Sequence, residues 1–173
     1  FLVNLPTAGM DGIHLTNLVN MVHSKQYLLN RVLRGEYFSI SADFVQELKA
    51  KAPQSAADFL AIYQALPEDA CKGLAFTEDR VAFTFAMQED PDRVKALMEL
   101  ASAIVAACKQ AKRVGSAETI SDNEKFYLRA WLVRIGLGEK EHKQSRHLLL
   151  EGLKGHTAFK TPEQQERHRI KYG

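Results

Sequence analysis

The chain has 173 residues, 46% apolar and 25% charged, with 10 Gly and 5 Pro. These values describe one ordinary soluble domain and exclude collagen-like, low-complexity and wholly disordered chains. Net charge is only +2 but uneven. Residues 1–111 hold 10 Lys/Arg against 13 Asp/Glu, while residues 112–173 hold 13 against 8 and four of the six His, an asymmetry that points to an acidic partner for the second part.

Phe1 to Leu5 reads as the end of a strand, closed by Pro6 and the turn-prone Thr7-Ala8-Gly9. A long helix is predicted from Asp11 to Arg34, stopping at Gly35, with Leu15, Leu18, Met21, Val22, Leu28, Leu29, Val32 and Leu33 on one side. Its other side is unusual. Between Gly12 and Asn30 the only charged residue is Lys25, and the rest is Asn17, Asn20, His23, Ser24, Gln26 and Tyr27. A solvated helix face normally carries Lys and Glu. Neutral amides and hydroxyls predict a helix covered on more than one side, with its polar groups satisfied internally or by a partner.

Ser41 caps a predicted helix through Ala50, and Ser55 another through Leu66, ending before Pro53 and Pro67 respectively. Residues 73–77 and 80–86 read as a β-hairpin in which Val81, Phe83 and Phe85 alternate with small residues; Glu78-Asp79 is a poor two-residue turn, so a longer loop is expected. Asp90-Pro91 starts a helix to about Arg113. Residues 114–120 have linker composition. Beyond them Ser121-Asp-Asn-Glu124 matches a capping box for a helix over 122–135, Gly136-Leu-Gly138 breaks it, and a second, basic helix is expected over 139–154. Thr161-Pro162 caps a last polar helix. The expected fold is α+β and helix-dominated, with a small sheet of about three strands. Residues 1–114 form its core, and 121–173 a basic helical module docked on that core.

Leu15-Thr-Asn-Leu-Val-Asn-Met21 with Ser24-Lys25, Asp122-Asn-Glu-Lys125 with Arg129-x-Trp131-Leu132-x-Arg134-x-Gly136, and Lys143-x-x-Arg146 followed by Leu149-Leu150 and Leu153-x-Gly155-His-Thr-Ala-Phe-Lys160 resemble a family of small bacterial proteins, often from Gram-positive genomes and mobile elements, that carries the loose label virulence-related protein. These residues are packing and capping patterns, and the family has no established activity. The resemblance therefore implies bacterial origin and little chemistry.

Signals for catalysis and cofactors are weak. Cys71 and Cys108 form no C-x-x-C pair; their number fits a reducing cytoplasm, and the acidic neighbours Glu68 and Asp69 disfavour a Cys71 thiolate. Glu139 and His142 stand at helical spacing, but a metal would need a third ligand such as His156 or His168. His23 and Ser24 are adjacent and so splay apart on a helix. No phosphate-binding glycine loop and no nucleophile elbow is present. Phe1–Pro6 lacks the parts of a signal peptide, no run reaches the roughly 20 apolar residues of a membrane span, and the missing initiator Met predicts residues before Phe1. Trp131, in register with Leu128 and Ile135, reads as a core anchor.

The resulting expectation is a cytoplasmic, non-catalytic interaction or regulatory protein without cofactor or metal, acting on a protein partner or on itself. Its candidate binding residues are Asn17, Asn20 and Ser24 on the neutral helix face and Arg129, Arg134, Lys143 and Arg146 on the basic module. The alternative is a nucleic-acid-binding protein that uses helix 139–154 as the second helix of a helix-turn-helix. An enzyme of unrecognised type comes third.

Overall fold

A computed structural model of the chain describes residues 1–158 and residue 170. The predicted last helix after Thr161, and His168, lie outside those residues. Strand β1 (Leu2–Pro6) pairs antiparallel with β5 (Arg80–Thr84), which pairs on its other edge with β4 (Leu74–Phe76). Val3 and Leu74 both stand opposite Phe83, and Leu5 and Phe76 both stand opposite Val81. All six side chains thus share one face, as the two-residue period of a strand requires. On the other face Leu2 is 60% exposed, the pattern of an antiparallel sheet covered on one side. Between Phe76 and Val81 the chain is drawn in by the Thr77 N–H donating to the Arg80 carbonyl (2.9 Å) and the Thr77 hydroxyl donating to Asp79 (3.0 Å).

Helix α1 (Gly12–Leu33) supplies the largest share of the core. Its start is a capping box in which His14 takes the place usual for Glu. The His14 N–H donates to Asp11 Oδ1 (3.0 Å), and the Asp11 N–H donates back to His14 Nδ1 (3.1 Å). Gly12 is required here because a Cβ would collide with the carbonyls of Pro53 and Ser55. At the other end the left-handed residue is Arg34 (φ 58°), and the Gly35 N–H reaches back to the Asn30 carbonyl (3.1 Å). Helices α2 (Ala42–Lys51) and α3 (Ala56–Gln64) follow, capped by the Ser41 and Ser55 hydroxyls. Phe44, Phe59 and Tyr63 from this pair cluster with Phe76 of the sheet, Phe59 edge-on to it at 4.9 Å between ring centres. A second, two-stranded ladder joins β2 (Ser39–Ile40) to β3 (Cys71–Lys72), a pairing too short to show a period in the sequence.

Helix α4 (Pro91–Gln110) ends three residues before its predicted limit. Helix α5 (Glu124–Leu132) runs into a wide π-type turn over Val133–Leu137, which Gly136 closes at φ 101°. In place of one basic helix over 139–154 there is a single 3-10 turn, Lys140–His142, and the eight-residue α6 (Lys143–Leu150). Leu128, Trp131, Leu132, Ile135, Leu137, Leu149 and Leu153 belong to the same buried cluster as the α1 and sheet residues. The basic module is therefore part of one core, and Trp131, 2% exposed, is buried in it. The architecture is α+β and helix-dominated.

Candidate functional site

The neutral face of α1 is occupied by the chain itself. Asn17 is buried; its Nδ2 donates to the Ala111 and Cys108 carbonyls (3.0 and 3.3 Å), and its Oδ1 accepts the Val114 N–H (3.2 Å). The Asn17 amide thus fills the role of a cap for the free carbonyls at the C-terminus of α4, which is why α4 stops there and residues 112–119 leave it extended. One turn on, Asn20 Nδ2 donates to the Val114 carbonyl (3.2 Å). His23 Nδ1 donates to the Ser116 carbonyl (2.6 Å), so that nitrogen carries the proton. The buried Ser24 offers its carbonyl to the Thr119 N–H (2.9 Å), Lys25 Nζ donates to the Thr119 hydroxyl (2.8 Å), and Gln26 donates to Glu118 (2.7 Å).

The same helix holds residues 37–40 in the same way. Asn30 Oδ1 accepts the N–H groups of Tyr37 and Phe38, and Gln26 Oε1 accepts that of Ile40 (2.8 Å). The expectation that Asn17, Asn20 and Ser24 present a partner-binding face is corrected accordingly. The Asn17 amide, Asn20 Nδ2 and the Ser24 carbonyl bind the 108–119 segment, because unpaired backbone groups there would otherwise be buried without partners.

Lys25 is 8% exposed, makes no ion pair among the described residues, and has its pKa pushed down to about 8, first by burial and then by the Arg134 guanidinium. The opposite case is Glu124. Its side chain is fully buried and receives the Arg31 guanidinium (2.9 Å), the Tyr27 hydroxyl (3.0 Å) and the Lys154 N–H (3.1 Å). Burial pushes this carboxyl up, but the Lys154 N–H, Tyr27 and Arg31 together outweigh it, and the group sits below its ordinary value. The predicted capping box therefore does not form. The Ser121 hydroxyl accepts the Asn123 N–H (3.0 Å), and Glu124 turns to α1 and to the segment after α6.

Of the basic residues singled out in the sequence, Arg129, Arg134 and Lys143 are exposed and make no ion pair among the described residues. Arg146 differs. It donates to the Leu137 and Glu139 carbonyls (2.8 and 2.7 Å) and holds the glycine turn closed; it is removed from the outward set. Sequence reasoning also missed Arg93, which joins three helices by donating to Gln88 and to the carbonyls of Leu148 (2.8 Å) and Val32 (3.3 Å); nothing local marks it.

The His142 ring lies between Glu99 (3.3 Å), which also accepts the Ser145 hydroxyl (2.5 Å), and Glu141 (3.6 Å). Among the described residues no three His, Cys, Asp or Glu side chains are placed to hold a metal. Burial pushes both cysteine thiols up to about 12, and no helix of the described residues is long and apolar enough to cross a membrane.

Beside the 112–116 segment remains a cleft of about 340 Å³ between α1 and the end of α2. Thr16 and Asn20 form its α1 wall, Val45 and Leu48 its apolar side, and Lys49, Lys112 and Arg113 its cations. No carboxylate lines it. Thr16 Oγ1 and Asn20 Oδ1 are both buried without a hydrogen-bond partner among the described residues. Compared with protein-family models, curated proteins and solved structures, the chain matches none of them.

Proposed function

We propose that the protein is a cytoplasmic interaction or regulatory module that works by binding an acidic surface of a partner protein through its C-terminal helices. One observation carries this reading: Arg129, Arg134 and Lys143 are exposed without an ion-pair partner among the described residues, whereas Arg31, Arg93 and Arg146 all hold the fold together. Unpaired surface cations steer an acidic partner and contribute little to folding. Two high-pKa thiols that form no disulfide agree with a reducing compartment. The resemblance of the sequence to small bacterial proteins implies a bacterial source for such a module.

The test places a photo-crosslinking side chain at Arg129 or Lys143 in the producing cell. The expected result is one recurrent partner, linked through an acidic stretch, that is lost when the other two cations become alanine. Absence of a recurrent partner, or capture unaffected by those substitutions, refutes the reading. Nucleic acid is the second reading, favoured by the same cations. It is opposed by a helix of only two turns, with Glu139, Glu141 and Glu151 exposed beside Lys140 and Lys143. Duplex binding whose log K falls steeply with log salt would replace the protein partner by DNA.

A further inference from the structure

We infer that the outer edge of β1 is a self-association site, at which a second copy of this chain adds its own β1 antiparallel to the first. The Phe1 carbonyl accepts the Phe85 N–H (2.9 Å), and the Thr7 N–H donates to the Asp79 carbonyl (3.0 Å). Between these two bonds Val3 stands opposite Phe83 and Leu5 opposite Val81. In an antiparallel ladder alternate residues bond to the neighbouring strand, so Phe1, Val3, Leu5 and Thr7 are the ones turned to β5. Leu2 and Asn4 direct their N–H and C=O groups to the opposite side. No other group of the described residues is hydrogen-bonded to them there, and both residues are exposed, Leu2 at 60%.

Free edges are commonly blunted by short length, a bulge or a charge. The other edge of this sheet, β4, has only three residues. Strand β1 has five, pairs with β5 without a bulge, and no charged side chain occurs from Phe1 to Met10. What it offers is one donor and one acceptor on each of two residues, repeated at the spacing of a strand. A two-fold axis at Val3 sets Leu2 opposite Asn4 of the second copy and Asn4 opposite its Leu2, which closes four hydrogen bonds. On the core side the same register sets Val3 against Val3 and Phe1 against Leu5, so no like charges meet. Pro6 has no N–H to offer outward and ends the pairing. Charges along an edge select a foreign strand; this edge has none, and self-pairing needs none. The two sheets become one of six strands in the order β4-β5-β1-β1-β5-β4. Few side chains are covered, so the dimer belongs with weak, transient associations.

This edge shares no residue with the Arg129, Arg134 and Lys143 surface, so either assignment can fail alone. The test is sedimentation equilibrium of the full chain up to about 1 mM, with amide exchange followed by NMR over the same range. A monomer–dimer equilibrium is expected, and exchange of the Asn4 amide should slow as the dimer fills. Asn4→Pro removes a donor that no bond to β5 uses, and should weaken the dimer about tenfold or more because each copy loses one. Leu2→Lys should weaken it severalfold, most at low salt, and tests the edge without altering its backbone. Urea unfolding of dilute protein, unchanged from the parent, confirms that each variant folds. A chain that stays monomeric throughout, a dimer whose Asn4 amide exchanges as fast as the monomer's, or a dimer indifferent to both substitutions would each overturn the assignment.

Discussion

The neutral face of α1 and the outer side of the C-terminal helices are both polar, yet they do opposite things. On α1 the polar groups are mainly amides and an imidazole, and they are taken up by backbone groups of residues 108–119 and 37–40. On the C-terminal side they are guanidinium and ammonium groups, and Arg129, Arg134 and Lys143 remain outward. The difference is one of desolvation. An amide can be buried at little loss if it is hydrogen-bonded, whereas an ion loses several kcal/mol of hydration and stays in water unless a counter-ion meets it. A helix face rich in Asn, Gln, Ser and His is thus a sign of cover, and a face rich in Lys and Arg a sign of exposure.

The sharpest way to break the contrast is at the point where the two regions meet. Glu124→Ala removes the acceptor shared by Arg31, Tyr27 and the Lys154 N–H, and should destabilise the fold by about 3 kcal/mol in urea unfolding, with faster exchange of the Lys154 amide. Because the folded pKa of Glu124 is lowered, its contribution is complete above the ordinary value of 4.5 and is lost as pH falls through the lower folded value. Acid unfolding of the variant should therefore be shallower than that of the parent.

Asn17→Ala tests whether the α1 amides hold the covering segment. It orphans two carbonyls and one N–H and should cost about 2 kcal/mol, with loss of amide protection at Val114. Arg146→Ala against Lys143→Ala separates a structural cation from an outward one. The first should lower stability by about 1 kcal/mol by opening the Leu137 and Glu139 contacts, and the second should change it by less than about 0.5 kcal/mol.

One effect has the opposite sign. Lys25 is a cation buried on the amide side without an ion pair among the described residues, so Lys25→Met should raise stability at pH 7 by roughly 1 kcal/mol after loss of the Thr119 contact. The unfolded chain holds the Lys25 proton more tightly than the folded one. Stability of the parent should therefore rise as pH goes from about 8 towards 10.5, and the Met variant should lose that rise.

What the sequence made legible was what neighbouring residues decide. Asp11, Ser41, Ser55 and Asp90 cap helices where they stand, and the alternation of Val81 and Phe83 marks the core face of the sheet. The capping box at Ser121 failed because Arg31 and Tyr27, more than ninety positions away, compete for Glu124. Helix α4 was read three residues too long because its terminator is Asn17, equally remote. Arg146 was read as a surface cation because a guanidinium within reach of a tight glycine turn finds carbonyls there that no spacing rule reveals. Of the cleft, only Asn17 and Asn20 stand out in the sequence, as residues in need of a partner. Its cationic wall is assembled from Lys49, Lys112 and Arg113, which no single helix brings together.

Asn17 and its neighbours reach across some ninety positions of chain for their partners, and this sets an order of events during synthesis. A nascent chain that has emerged only as far as residue 107 possesses the sheet and the long first helix but lacks the 108–119 backbone that quiets Asn17, Asn20 and His23. Such an intermediate should stay loosely packed and attractive to chaperones until the next dozen residues clear the ribosome. Folding of the whole molecule should accordingly be slow for its size, since its decisive closures are its most distant ones.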